Sequence, residues 1–147
     1  MIEFNVEWHG HAIAGAVRAH FNPACDVVIA RTEGMRLLGG VIYQGYTGVS
    51  IRAHVAGFYQ HWINRDLLWV CFYYPFNQLK CNVMFGEVPS NNKKALAFDR
   101  KLGFKDYARI EGVFPDADLI VLRMTREECR WLRITPRSIA SSDGQQG

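Results

Sequence analysis

The chain has 147 residues, of which 49% are apolar and 21% are charged, a composition typical of one domain that buries a substantial core. Lysine and arginine exceed aspartate and glutamate by only three, 17 against 14, which disfavours a nucleic-acid-binding protein because phosphate binding needs a concentrated basic surface. No stretch approaches the roughly 18 uninterrupted apolar residues of a membrane helix, and the first residues lack the layout of a signal peptide. We therefore expect a cytoplasmic protein that binds neither nucleic acid nor membrane.

The cysteine and histidine spacing predicts no metal site. Cys25, Cys71, Cys81 and Cys129 are scattered without a CxxC or CxxH pair, whereas zinc sites and redox dithiols usually need closely spaced ligands. Reduced, mostly buried thiols are the expected state.

Apolar periodicity predicts, in chain order, a strand, a helix, three strands, a helix, a strand, a helix and two strands. The predicted strands cover residues 2–8, 25–30, 35–43, 49–55, 81–85, 105–114 and 119–124. The predicted helices cover residues 12–21, 62–73 and 90–102, followed by a helical turn over 125–132. This order indicates one α/β domain with a mixed sheet over residues 1–135. The Ser/Gln/Gly-rich residues 136–147 are predicted to be a disordered tail.

Local signals set the predicted boundaries. The strand 25–30, the turn at residues 31–34 and the run 35–43, which contains Gly39-Gly40, together predict an antiparallel hairpin system. Pro75 predicts that the second helix breaks at the residue before it. Ser90 or Asn91 is the predicted N-cap of the third helix, and Gly103 is expected to end that helix in the left-handed conformation.

Residues 92–104 carry the most specific pattern, Asn-Lys-Lys-Ala-Leu-Ala-Phe-Asp-Arg-Lys-Leu-Gly-Phe. They resemble the motif Asn-x-x-Ala-(x)6-Leu-Gly-Phe of the GNAT superfamily of N-acetyltransferases, with the expected strand before it and two antiparallel strands after it. The resemblance covers residues 27–124, and more loosely the N-terminal strand and helix. Residues 54–57, 74–79 and 124–132 are similar to members encoded by bacteriophages and prophages, which implies such an origin.

The resemblance implies a particular sheet and a cofactor, acetyl-CoA. The sheet is mixed and mostly antiparallel, with about six to seven strands, helices on both faces, and a splay between the fourth strand, residues 51–56, and the fifth, residues 83–88. The N–H and C=O groups that the splay leaves unpaired must find partners, and the pantetheine amides provide them as if adding a strand. The loop 57–61 leads into a helix N-terminus, which favours a pyrophosphate.

The predicted cofactor-binding residues are Val55, Ala56, Gly57, Tyr59, His61, Trp62, Arg65, Asn92 and Phe98. The usual phosphate loop, Gln/Arg-x-x-Gly-x-Gly/Ala, is replaced here by Gly57 and bulky neighbours, which narrow the ways a backbone can approach a phosphate. Arg65 is expected either to supply a charged fork to the phosphate or to be a solvated surface residue. Asn92 is expected to steady the cofactor arm.

The candidate catalytic residues are His54, Glu87 and Asp99. The glutamate common on the fourth strand is absent, so His54, whose imidazole titrates near physiological pH, is the predicted base, with Glu87 as the alternative and a packed structural role open for both. Asp99 lies seven residues after Asn92, where many family members have a tyrosine that protonates the CoA thiolate. A carboxyl can donate there only if burial raises its pKa; otherwise Asp99 is a surface residue. Further candidates for the acid are Tyr59, Tyr73, Tyr74 and solvent.

The resemblance, together with the departures from it, leaves two possible functions. The first is an acetyl-CoA-dependent N-acetyltransferase in which an amine, from a small molecule or a protein, attacks the thioester directly. The second is a catalytically inactive protein of the same fold that binds a host or viral partner, supported by the altered loop and the missing glutamate and tyrosine. The many aromatic residues and Trp131 also suggest a homodimer.

Overall fold

The computed structural model describes residues 1–137, which form a seven-stranded sheet with helices on both faces. The strands are β1 (Ile2–Phe4), β2 (Val27–Glu33), β3 (Arg36–Gln44), β4 (Ser50–Gly57), β5 (Val83–Pro89), β6 (Lys105–Phe114) and β7 (Ala117–Thr125). The helices are α1 (Glu7–Ala16), α2 (Arg65–Tyr73) and α3 (Lys93–Leu102), with a π-helical turn at Tyr74–Gln78 and a 3-10 turn at Arg130–Arg133. The observed order of strands and helices along the chain confirms the predicted order.

The strands lie in the order β1-β2-β3-β4-β5-β7-β6. Neighbours are antiparallel except β4 and β5, which are parallel. The predicted fold class, a mixed and mostly antiparallel sheet, is therefore confirmed. None of the helices within residues 1–137 is long and apolar enough to cross a membrane.

Two apolar cores flank the sheet. The larger lies between one face and helices α2 and α3, and includes Leu67, Met84 and Leu122. The smaller lies under α1 and includes Ile13 and Ile42. Because strand side chains alternate between faces, β2 and β3 contribute to both cores, with Ile29 and Val41 in the larger and Val28 and Ile42 in the smaller.

The first strand and helix differ from the prediction. The strand was expected to run to residue 8 and the helix to begin at residue 12, but β1 ends at Phe4 and α1 begins at Glu7. Asn5 adopts a positive φ of 58°, its N–H donates to the Val28 carbonyl at 2.8 Å, and its Oδ1 accepts from the Val28 N–H at 3.2 Å. The turn at Asn5 ends the strand, so Trp8 lies in α1.

Strand β3 runs through Gly39-Gly40 without interruption and pairs antiparallel with β2, as predicted for the hairpin. An added Cβ on Gly39 would overlap the Trp62 indole, and one on Gly40 would lie 2.8 Å from the Ala30 Cα. These glycines are needed for close approach rather than for turning the chain.

One helix boundary is confirmed and one is corrected. Helix α2 ends at Tyr73 with Tyr74 as its C-cap, which confirms the predicted break before Pro75. The chain continues as a π-helical turn, and Pro75 stands at its start, where a missing N–H is tolerated. The N-cap of α3 is Asn92, whose Oδ1 accepts from the Ala95 N–H at 3.2 Å, and not Ser90 or Asn91. Gly103 ends α3 with φ 114°, as predicted.

Part of the predicted tail is described. Pro136 is buried, and the Arg137 N–H donates to Oδ1 of Asp66 at 2.5 Å. Residues 138–147, the rest of that prediction, lie outside the described residues.

Candidate active site

The parallel seam between β4 and β5 is short. The two strands pair only over Ser50–Arg52 and Val83–Phe85. Beyond these pairs β4 continues to Gly57 beside β3, and β5 continues to Pro89 beside β7. The predicted splay is therefore present, and it leaves the β5-facing backbone groups of residues 53–57 without a neighbouring strand.

A cleft of about 630 Å³ lies between the parted halves of β4 and β5. Its walls are the parted halves of β4 and β5, the loop after β4, the first turns of α3 and the end of α1. The lining residues are Ala16, Val17, Ala53, His54, Val55, Ala56, Gly57, Phe58, Tyr59, Gln60, His61, Trp62, Glu87, Val88, Pro89, Asn92, Lys94, Ala95, Phe98 and Asp99. The cleft thus brings together all three candidate catalytic residues and every predicted cofactor-binding residue except Arg65.

Asp99 lies beside the point at which the strands part. An added Cβ on Gly86 would lie 3.6 Å from the Ala53 carbonyl oxygen and 3.8 Å from Oδ2 of Asp99. Within the described residues the Asp99 carboxylate makes no hydrogen bond or ion pair. Burial raises the pKa of this carboxyl from 3.8 to about 7, because a desolvated carboxylate is disfavoured. Asp99 can therefore hold a proton near neutral pH.

His54 and Glu87 approach the cleft from the opposite face of the sheet. Ala53 and Val55 contribute to the larger core, so His54 between them points toward the α1 face. Burial, and secondarily the Arg52 guanidinium, lowers the pKa of the His54 imidazole from 6.5 to about 4, opposed by Asp26. The imidazole is thus neutral at pH 7 and a weak base.

Glu87 forms an ion pair with Arg52 at 3.5 Å, and both side chains are about one-third exposed. This pairing keeps the carboxylate on the α1 face of the seam, the face that His54 also occupies. The cleft therefore has a polar group on each face: Asp99 on the α3 side and His54 with Glu87 on the α1 side.

The loop after β4 and the helix α2 that follows it differ in whether they face the cleft. Asn64 caps α2, because its Oδ1 accepts from the Leu67 N–H at 2.9 Å, and Asp66 adds a carboxylate in the first turn. Arg65 donates through Nη1 to the Thr135 carbonyl at 3.1 Å and does not line the cleft. The Asn64 side chain thus occupies one N–H group of the α2 N-terminus, and residues 57–62 are the segment that faces the cleft.

Trp62 and Phe98 connect the two sides of the cleft. Their ring centroids are 5.7 Å apart, which joins the loop after β4 to α3. The indole lies against Gly39 and Gly57, where any Cβ would overlap it. Asn92 lines the cleft beside them while capping α3 through its carbonyl oxygen, so its amide NH₂ remains available.

The contribution of α1 to the cleft was not predicted from the sequence. Ala16 and Val17 line the cleft, but the predicted helix extended to residue 21, which concealed that the chain turns at this point. A positive φ at Arg18 marks the turn, and no glycine or proline signals it in the sequence. Within residues 1–137 no group of three or more His, Cys, Asp or Glu side chains could hold a metal ion.

No protein-family model and no curated protein matches the sequence, but the fold matches solved structures. An acetyltransferase of the GNAT family from Bacillus anthracis superposes with a TM-score of 0.62 at 11% identity, covering 86% of this chain and 96% of that one. The chain has the GNAT fold. The GNAT fold is also supported by Campylobacter jejuni N-acetyltransferase PseH in complex with acetyl coenzyme A, with a TM-score of 0.53, 17% identity and 70% coverage of both chains. An N152L mutant of spermidine N-acetyltransferase SpeG from Vibrio cholerae gives 0.60 at 17% identity, covering 74% of this chain and 67% of that one.

Proposed function

We propose that this protein is an acetyl-CoA-dependent N-acetyltransferase that transfers the acetyl group by direct attack of an amine on the thioester. The observation that carries the proposal is the parted half of the β4–β5 seam. It combines unpaired strand backbone with a cleft of about 630 Å³. A solved structure of the same fold holds acetyl coenzyme A, which supports the assignment of this cofactor.

The cofactor binds along the free edge of β4 in this proposal. The N–H and C=O groups of residues 53–57 that face the cleft need partners, and the pantetheine amides supply them in the manner of an added strand. The diphosphate lies against the loop of residues 57–62, with Lys94 on the facing helix as a nearby cation. Asn92 offers its free amide NH₂ to the pantetheine arm.

Asp99 is the proposed acid. As the amine nitrogen bonds to the thioester carbonyl carbon, the C–S bond breaks and its electron pair leaves on sulfur. The Asp99 carboxylic acid, with a pKa of about 7, then gives its proton to the thiolate. A pKa near the working pH suits this role, because enough of the acid is present and proton transfer is favourable. The ordinary carboxylate of an exposed aspartate would instead repel a thiolate.

The amine approaches from the α1 face, where His54 and Glu87 lie. A histidine pKa of about 4 makes His54 too weak a base to hold the proton of an alkylammonium ion. We therefore assign it a hydrogen-bonding role toward the amine or a water that carries the proton away. Glu87, paired with Arg52, is the alternative group on this face. The acceptor is a small-molecule or protein amine.

Calorimetric titration with acetyl-CoA tests the proposal. We expect saturable binding, and turnover with at least one member of a panel of amines, followed as release of free CoA thiol. Absence of binding at millimolar acetyl-CoA would contradict the enzyme and favour the inactive binding protein of the same fold.

The cytoplasmic location, the bacteriophage or prophage origin and the homodimer complete the proposal. The homodimer is supported by exposed apolar side chains, among them Trp8, Tyr107 and Ile110, which are 49–65% exposed. Light scattering coupled to gel filtration measures the mass in solution, and a mass of 16.8 kDa would contradict the dimer.

A further inference from the structure

The loop of residues 58–62, which follows β4, has a fixed shape although it contains no glycine. His61 adopts a positive φ of 61°, a conformation that costs energy for a residue with a Cβ. The Phe58 N–H donates to the Leu38 carbonyl at 2.9 Å, which fixes the start of the loop to β3. A further contact must hold the strained part.

That contact comes from Arg31 on β2. Its Nη1 donates to two successive carbonyls, His61 at 3.0 Å and Trp62 at 2.9 Å. The strand register explains its reach: Arg31 pairs with Gly39 on β3, and Gly39 pairs with Gly57 on β4. Because these two glycines have no Cβ, the Trp62 indole can pack against the strands there, between Arg31 and the loop.

The two carbonyls determine where the neighbouring N–H groups point. In a trans peptide the C=O and the N–H point in opposite directions. With the His61 and Trp62 carbonyls turned toward Arg31, the N–H groups of Trp62 and Ile63 point away from it. Within the described part of the chain, no amide N–H of residues 59–64 donates a hydrogen bond. Successive free N–H groups form a concave anion site.

We propose that Arg31 is a positioning residue for the diphosphate of the cofactor. It holds the loop in the conformation that a glycine-rich segment would otherwise adopt, and so presents the N–H group of Trp62, which lines the cleft, to the phosphate. Arg31 does not line the cleft, so it acts through the loop and not by touching the ligand. This inference rests on the proposed function, because it requires acetyl-CoA in the cleft.

The test compares two ligands on the Arg31→Ala variant. Acetyl-CoA carries the diphosphate, whereas S-acetylpantetheine lacks it and fills only the strand-like part of the cleft. We expect Arg31→Ala to weaken acetyl-CoA binding by about tenfold or more and to change S-acetylpantetheine binding by less than about twofold. A general loss of structure would weaken both ligands and would overturn the proposal, as would unchanged binding of acetyl-CoA.

Arg36→Ala is the matched control for charge. The Arg36 guanidinium lies over the Tyr59 ring at 4.6 Å, close to the same loop, but binds no loop carbonyl. It should leave acetyl-CoA affinity within about twofold; an effect as large as that of Arg31→Ala would make charge the cause and overturn the proposal.

A measurement on the wild-type protein does not depend on whether a variant folds. The amide NMR signals of His61 and Trp62, which line the cleft, should shift with acetyl-CoA and not with S-acetylpantetheine. Equal shifts with both ligands overturn the positioning role. If the wild type binds neither ligand, the proposed function fails together with this inference, whereas binding of acetyl-CoA without a response at these amides defeats the inference alone.

Discussion

The β4–β5 seam has two halves that differ in what they bury. In the paired half, Ile51 and Met84 are 2% and 3% exposed and face the larger core. In the parted half, Val55 is only half-buried, and the space between the strands is the cleft. The same alternation of side chains continues through both halves of β4, so the site arises where a neighbouring strand is withdrawn rather than where the residue pattern changes.

The largest expected contrast is in stability. Met84→Ala removes a core side chain opposite Ile51 and should lower the free energy of unfolding by about 2–5 kcal/mol. Val55→Ala, at the parted end, should cost only about 1–2 kcal/mol because its side chain is already partly solvated. Urea unfolding followed by circular dichroism measures both, and equal costs would contradict the division of the seam.

Asp99→Asn should lower the rate of thiol release by about tenfold or more, because the amide cannot protonate the thiolate. It should also change the pH dependence of stability. The native carboxyl has its pKa raised from 3.8 to about 7, so the folded protein binds more protons than the unfolded chain between these values, and wild-type stability is lost as pH rises through them.

The melting temperature of Asp99→Asn relative to wild type should therefore increase from pH 5 to pH 8. Comparing the two proteins at each pH cancels the contribution of His54, whose lowered pKa acts with the opposite sign below pH 6.5. A constant difference in melting temperature would show that Asp99 is solvated as an ordinary surface carboxylate.

Substitutions of two helix-capping asparagines distinguish an effect on stability from an effect on cofactor binding. Asn64 caps α2 away from the cleft, and Asn92 caps α3 while lining it. Each change to alanine should cost about 1 kcal/mol of stability through loss of the cap. Only Asn92→Ala should also weaken acetyl-CoA binding in a calorimetric titration, and an equal loss of affinity in Asn64→Ala would argue against the placement of the cofactor arm.

The smallest effect is expected for Glu87→Gln. The ion pair with Arg52 is 3.5 Å long and about one-third exposed on each side, so its loss should cost less than about 1 kcal/mol and depend on salt. Denaturant midpoints at low and high salt measure this. A much larger loss would mean that this ion pair is more deeply desolvated than the exposure of its side chains indicates.

The order of elements and the splay followed from sequence because both have long-range signatures: apolar periodicity, and the 92–104 motif in its strand context. The boundaries that failed depend on single backbone angles. Nothing in the identity of Asn5 distinguishes the turn that ends β1 from a polar position within a strand. The role of Gly39 has no local signature, because the Trp62 indole that requires this glycine is distant in the sequence.

For the candidate site, the sequence predicted most of the residues that line the cleft but not the environment of each side chain. Strand and loop residues near the splay line the cleft because backbone position alone places them there. The environment of Asp99 was not predictable, since its desolvation depends on packing beside Gly86 on another element. Arg65 was expected near the phosphate, but its partner, the Thr135 carbonyl, comes from a segment 70 residues further along the chain.

The one-sided support of β4 beyond Arg52 gives that strand two kinds of backbone amide. Those that face β3 are held in a ladder that continues to Gly57, while alternate ones open onto the cleft. Deuterium uptake along residues 53–57 should therefore rise and fall with every second residue, since exchange reports local opening. Slower exchange of the cleft-facing amides after a compound is added would show that the compound binds in the cleft, even before any substrate is known.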